Sequence, residues 1–170
     1  KELLAANGYA ERAVFIESDW FDAQVPQPAD VLIIEALGPF GIDEGILGAV
    51  AHARNAGLIR AGAQVVPEKL KLVVAPASCA EAHRAVSFWA EHPAGFDFAP
   101  VKSAAANSVY NRVFTAEEIT APAAAVAEYD FTEGPLGDFS AEAFFAIEKD
   151  VDVHGFAGWF ECVPGGGARI

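Results

Sequence analysis

The chain has 170 residues, 53% of them apolar, enough for a packed core in one domain or two small ones. Its 24 acidic and 11 scattered basic side chains leave a formal charge of −13, which repels phosphate backbones and argues against direct contact with nucleic acid or an anionic membrane. No window approaches the roughly 20 uninterrupted apolar residues of a spanning helix, so no membrane insertion is expected.

"KELLAANG" reads as the last turns of a helix, with Leu3 and Leu4 as apolar contacts and Gly8 as a left-handed terminator. The opening has no initiator methionine, basic n-region or apolar h-region, and reads as the middle of a longer sequence rather than as a signal peptide. "RAVFIES" is expected to form a strand. After the punctuated "QVPQPAD", "DVLIIE" is the continuous apolar run of a parallel strand covered on both faces. Asp43 is placed to cap a helix whose Ile46, Leu47, Val50 and Arg54 fall near one face, and which Gly57 or the "RAGA" turn ends. His52 on that helix reads as a boundary residue rather than a catalytic one. This pattern predicts an α/β sheet.

After Pro67 the texture changes. "EKLKLVVAPA" alternates as a half-exposed strand does, and "FFAIEKDVDVHGFAGWFECV" is strand-like, so an antiparallel, β-rich half is expected. Between them "SCAEAHRAVSFWAEHPAGFDFAPV" mixes a short helical pattern with exposed-looking aromatics and reads as an excursion from the sheet. "PGGGAR" near the C-terminus follows a strand and opens no visible helix, so it reads as a flexible turn rather than a phosphate cradle. Cys79 and Cys162 lie far apart with no secretory signal, which favours two thiols and a cytoplasmic protein. His52, His83, His92 and His154 show no ligand spacing with these cysteines, so no metal site is expected, and no Gly-x-Ser-x-Gly elbow points to a hydrolase.

The candidate chemistry lies in "EALGPFGIDE". Glu35 ends the apolar strand and Glu44 returns nine residues later, in the expected first turn of the helix. Ligands of an open parallel sheet bind beyond the carboxyl ends of its strands, where Glu35 would stand. Two converging carboxylates repel unless a cation lies between them, and a planar guanidinium satisfies both through paired hydrogen bonds. Taken singly, Glu44 is explained by the helix dipole and Glu35 by nearby backbone amides; the pair with its intervening glycines points to a site. An acid/base pair acting on a sugar is the other enzymatic reading of two such carboxylates.

This loop resembles the double-glutamate loop of the protein arginine methyltransferases, in which two glutamates flank a glycine-containing, aromatic-bearing loop. "HARNAGLIRAGAQVVP", "GFDF" at Gly95 to Phe98 and "VHGFAGWF" at Val153 to Phe160 follow in the family's order, so the resemblance covers essentially the whole chain. It implies part of a Rossmann-like class I S-adenosylmethionine-dependent methyltransferase domain, residues 1–67. A β-barrel-like domain, residues 68–170, follows, with a helical dimerisation arm over 79–98. In a homodimer, Phe88, Trp89 and Phe96 of that arm would be buried against the second subunit. The resemblance also implies that Glu35 and Glu44 hold the guanidinium of an arginine in a protein or peptide substrate. "ESDWF" resembles the loop bordering the cofactor's adenine, where Asp19 would accept from the adenine amino group and Trp20 would pack nearby; a strand-end acid and a core tryptophan are the structural alternative.

Two family elements are not in this sequence: the upstream glycine-rich cofactor loop with its ribose-binding acid, and a downstream Thr-His-Trp loop. The expectation is therefore a fragment inactive alone, with an inactive homologue serving as a binding or dimerisation module as the alternative. Ala36 and Leu37 replace pocket residues that many members carry, so product type does not carry over.

Overall fold

The computed structural model describes residues 1–165. A short helix, α1 (Glu2–Ala6), ends at Gly8, whose φ of +75° lets Tyr9 N donate back to the Leu4 carbonyl at 2.8 Å. Leu3, expected as an apolar contact, is exposed. The next segment corrects a second expectation: residues 13–17 form no strand. Ala13 is extended, but a strand exists only through a neighbour's hydrogen bonds, and Val14, Phe15 and Ile16 have none among the described residues and lie open.

β1 (Ala29–Ile33) and β2 (Ile59–Val66) form a parallel pair joined by α2 (Ile46–Asn55), the crossover such a pair requires. β2 was not expected, because "RAGA" reads as the turn that ends the helix. It is instead an irregularity inside the strand: the register steps from Ala29↔Ile59 to Val31↔Gln64, two residues against five, with Gly62 at φ +73°. Only one face of β1 is covered. Leu32 is buried, whereas Val31 and Ile33 are 45% and 77% exposed, so burial on both faces does not hold among the described residues.

The cis Val66–Pro67 bond leads into β3 (Lys69–Ala77), the middle strand of a three-stranded antiparallel sheet. β4 (Ala124–Asp130) flanks it on one side and β5 (Gly155–Val163) on the other. β3 was expected to be half-exposed. As a central strand it buries Leu70, Leu72, Val73, Ala75 and Ala77. Of the strand-like C-terminal stretch only β5 is paired, and residues 141–148 carry no ladder. "PGGGAR" lies largely outside the described residues.

Between β3 and β4 the chain leaves the sheet through α3 (Ala80–Ser87), turns at Phe88–Ala90 and Pro93–Gly95, and α4 (Ala99–Ala106). The excursion is longer than 79–98. Asp97 Oδ1 accepts from Ala99 N at 2.9 Å and Pro100 stands in the first turn of α4, two start signals that extend it to Ala106.

A single apolar cluster runs through both sheets: Leu32, Ile46, Val50 and Val65 from the parallel unit meet Leu70, Leu72, Tyr129, Phe131 and Cys162 from the antiparallel one. Cys79 and Cys162 are free thiols, both buried. Among the described residues no helix is long and apolar enough to cross a membrane.

Candidate active site

The loop between the two glutamates is held at several points. Ile34 N makes the last bond of the parallel pair, to Val66 O at 3.0 Å, and the chain then departs at Glu35, at the carboxyl end of β1. Asp43 does not cap α2. Its Oδ1 accepts from Phe40 N at 2.9 Å, which commits the carboxylate to the loop, and the helix cap falls to Gly45 in the left-handed conformation. Glu44 consequently stands in the turn two residues ahead of Ile46 rather than in the first turn of the helix.

Packing fixes the glycines. A Cβ on Gly38 would lie 2.4 Å from Asp43 Oδ2, and one on Gly41, where φ is +79°, would lie 3.0 Å from Phe160 Cβ. Two turn bonds, Gly41 N to Gly38 O at 2.8 Å and Gly45 N to Ile42 O at 3.1 Å, close the loop on itself. Phe40, Leu37 and Ile42 pack on the core from this side. Against that framework the side chains of Glu35 and Glu44 are exposed, and among the described residues neither takes part in a hydrogen bond or ion pair.

Asp19 and Trp20 occupy a different setting. Asp19 Oδ1 accepts from Phe21 N at 2.9 Å and so caps the short turn Trp20–Asp22, leaving its second oxygen open on an exposed residue. The Trp20 indole N–H donates to Ala49 O of α2 at 3.2 Å, and its ring lines a groove of about 330 Å³ with Ile16, Ser18, Val31, Leu58 and Ile59. Both carry structural contacts, and each keeps a surface open beside the groove. His52 sits at the boundary as expected, with its ring edge-on to Phe21 at 5.0 Å between centroids.

A second cavity, of about 700 Å³, lies against the antiparallel sheet, lined by Lys69, Lys71, Glu128, Tyr129, Asp130 and Glu161 among others. Neither glutamate of the loop borders it. Four of its charges pair with one another, Lys69 with Asp130 at 3.3 Å and Lys71 with Glu161 at 2.8 Å. Burial pushes the Cys162 thiol up, which leaves it a poor nucleophile. Among the described residues no group of three or more His, Cys, Asp or Glu could hold a metal ion.

Two contacts escaped the sequence reading. The Phe40 ring lies on Gly158 of β5, and Arg54 of α2 reaches the turn after β4. Partners 118 and 80 residues apart leave no local pattern, and a glycine inside a strand was the one available sign of close approach.

No family model matches the chain. Curated relatives do. It is 26% identical over 168 residues to human protein arginine N-methyltransferase 2, covering 94% of this chain and 38% of that protein. It is likewise 26% identical over 167 residues to a probable protein arginine N-methyltransferase 1.2 of Arabidopsis thaliana, covering 95% and 44%. The chain is similar in sequence to protein arginine N-methyltransferases over nearly its whole length. It spans less than half the length of these two arginine methyltransferases. Solved arginine methyltransferases share its fold. A Trypanosoma brucei PRMT1 enzyme-prozyme heterotetrameric complex with AdoHcy superimposes with a TM-score of 0.84 at 21% identity, over 99% of this chain and 54% of that one. Arabidopsis thaliana arginine methyltransferase 10 gives 0.71 at 19%, over 94% and 53%. The class I methyltransferase fold expected from the glutamate loop is thus the fold observed.

Proposed function

We propose that this chain is the substrate-holding part of a protein arginine methyltransferase, with Glu35 and Glu44 as the carboxylates that clasp the substrate guanidinium. The observation that carries the reading is the loop itself. It presents two exposed carboxylates without ion-pair partners among the described residues, at the ends of a segment fixed by glycine packing and turn bonds at the sheet's carboxyl edge. A guanidinium offers five N–H donors in a plane and neutralises the repulsion of the two acids. Held by both, it is fixed in orientation while positive charge is drawn toward the nitrogens facing the carboxylates, so that the remaining nitrogen is aimed and enriched for attack. Positioning and charge complementarity then carry most of the rate.

The cofactor this fold implies is S-adenosylmethionine, which when bound supplies an electrophilic sulfonium methyl group. The open oxygen of Asp19 and the groove-lining ring of Trp20 fit its adenine end, one as hydrogen-bond acceptor and the other as an apolar wall. The strongly acidic surface favours a cationic, arginine-bearing peptide as substrate. The exposed aromatics of the helical excursion support a homodimer, and the free thiols fit a reducing, cytoplasmic setting.

The test is methyl transfer to an arginine peptide by the whole native polypeptide and by its Glu35→Gln and Glu44→Gln variants. Each variant is expected to lose about 10²-fold or more in kcat, the scale of removing one preorganised charge partner. Retention of the parent rate in both would refute the reading.

A further inference from the structure

The loop between Glu35 and Glu44 belongs to the parallel unit, but what seats its apex is the antiparallel sheet. Gly158 lies within β5, opposite Val74 of β3. A Cβ there would stand 2.8 Å from Phe40 Cε2, closer than real Cβ atoms come, and 3.1 Å from Cδ2, so the phenyl ring in this position rests against a strand residue that must lack a side chain. The next loop residue repeats the fit in reverse. Gly41 gives way to Phe160, which projects from the same face of β5 two residues on, and to Leu70 Cδ1 of β3, 3.2 Å from its absent Cβ. Phe40 and Gly41 thus interlock with Gly158 and Phe160. Phe40 stands five residues after Glu35 and four before Glu44, and its own N–H is tied to Asp43.

We infer that Phe40 and Gly158 are positioning residues for the guanidinium site: β5, through the bare backbone at Gly158, sets the height of the loop apex and with it the aim of both carboxylates. The inference rests on the reading of Glu35 and Glu44 above. A methyl group at residue 158 has to push the ring away from the strand. Because the two acids lie at opposite ends of one short, closed loop, the displacement is delivered to both. Misplacement by about 1 Å costs on the order of 10²-fold when catalysis depends on orientation.

The experiment is a size exchange in the whole native polypeptide. Gly158→Ala is expected to lower kcat/KM for an arginine peptide about tenfold or more while affinity for S-adenosylmethionine stays within about twofold, since the groove beside Trp20 is built from other residues. Phe40→Leu, which shortens the ring's reach, is expected to restore the double variant to within about threefold of the parent. Phe40→Leu alone loosens the apex without crowding and is expected to speed amide exchange across residues 38–45, which gives a readout should Gly158→Ala fold poorly. A parent that transfers methyl groups alongside a Gly158→Ala variant that equals it, or a loss that Phe40→Leu does not repair, would overturn the inference alone. A parent with no transfer to arginine would refute the guanidinium reading and the role assigned to β5 with it.

Discussion

Arg54 of α2 donates from Nη1 to the backbone carbonyl of Gly134 at 2.8 Å, and its Nη2 donates to the carbonyls of Asp130, at 3.3 Å, and Phe131. One guanidinium therefore gathers the turn that follows β4 and ties it to the helix beside the glutamate loop. Gly134 is confined there as well, since a Cβ would come within 2.9 Å of Asp130 O. Arg54→Met keeps much of the stem's packing but removes every donor. It is expected to destabilise the fold by about 2 kcal/mol, within the range for charge-assisted bonds lost from part-buried carbonyl acceptors. The shift of the urea midpoint at constant m-value measures it, and a shift below about 0.5 kcal/mol would contradict this account.

Asp130 adds a pH dependence to the same turn. Burial alone would raise its pKa, but the backbone N–H groups of Thr132 and Glu133 and the Lys69 ammonium outweigh burial and hold it below the usual value. Glu118 is lowered too, first by the Thr115 backbone N–H, against burial, and then by Arg112 at 3.0 Å. A carboxylate whose folded pKa is depressed contributes stability that is present above its unfolded pKa, about 4, and is lost as pH falls through the folded value. Thermal midpoints should therefore drop as pH passes from about 4.5 toward 3, and Asp130→Asn should flatten part of that drop while lowering the midpoint at pH 7. Equal slopes in parent and variant would remove Asp130 from the explanation.

The helical excursion carries an aromatic series open to solvent. Trp89 contacts Phe88 at 5.4 Å and Phe98 at 5.6 Å between ring centroids, each edge to face, and Phe96 continues the series against Phe98. Phe88 and Phe96 are 47% and 67% exposed. If this face meets a second copy, Phe96→Ser should raise the dimer dissociation constant about tenfold or more in sedimentation experiments. A parent that remains monomeric at high concentration would dispose of the dimer.

What the sequence disclosed follows from how locally each feature is determined. β1 was legible because a β-branched run with a turn on each side has few other uses, and the excursion because its aromatics break the strand pattern. β2 was hidden by Gly62, whose turn chemistry was read correctly and assigned to the wrong place. The helix start was misplaced because Asp43 had a competing donor in Phe40 that only the folded loop supplies. Residues 13–17 had strand composition but no ladder partner among the described residues, and pairing is the part that composition does not encode. Glu35 and Glu44 stood out as a pair, one at the end of an apolar run and the other across a short glycine-containing loop. The residues that seat their loop, Phe40 and Gly158, are meaningful only as a pair.

The apolar cluster that passes from Leu32 and Val50 to Leu72 and Phe131 has a mechanical corollary. Two sheets that share one interior melt together, so calorimetry should record a single endotherm rather than separate ones for each half. A cut at Pro67 would yield two sticky pieces instead of two modules, and any motion that opens the parallel unit to admit a ligand must carry the neighbouring sheet along with it.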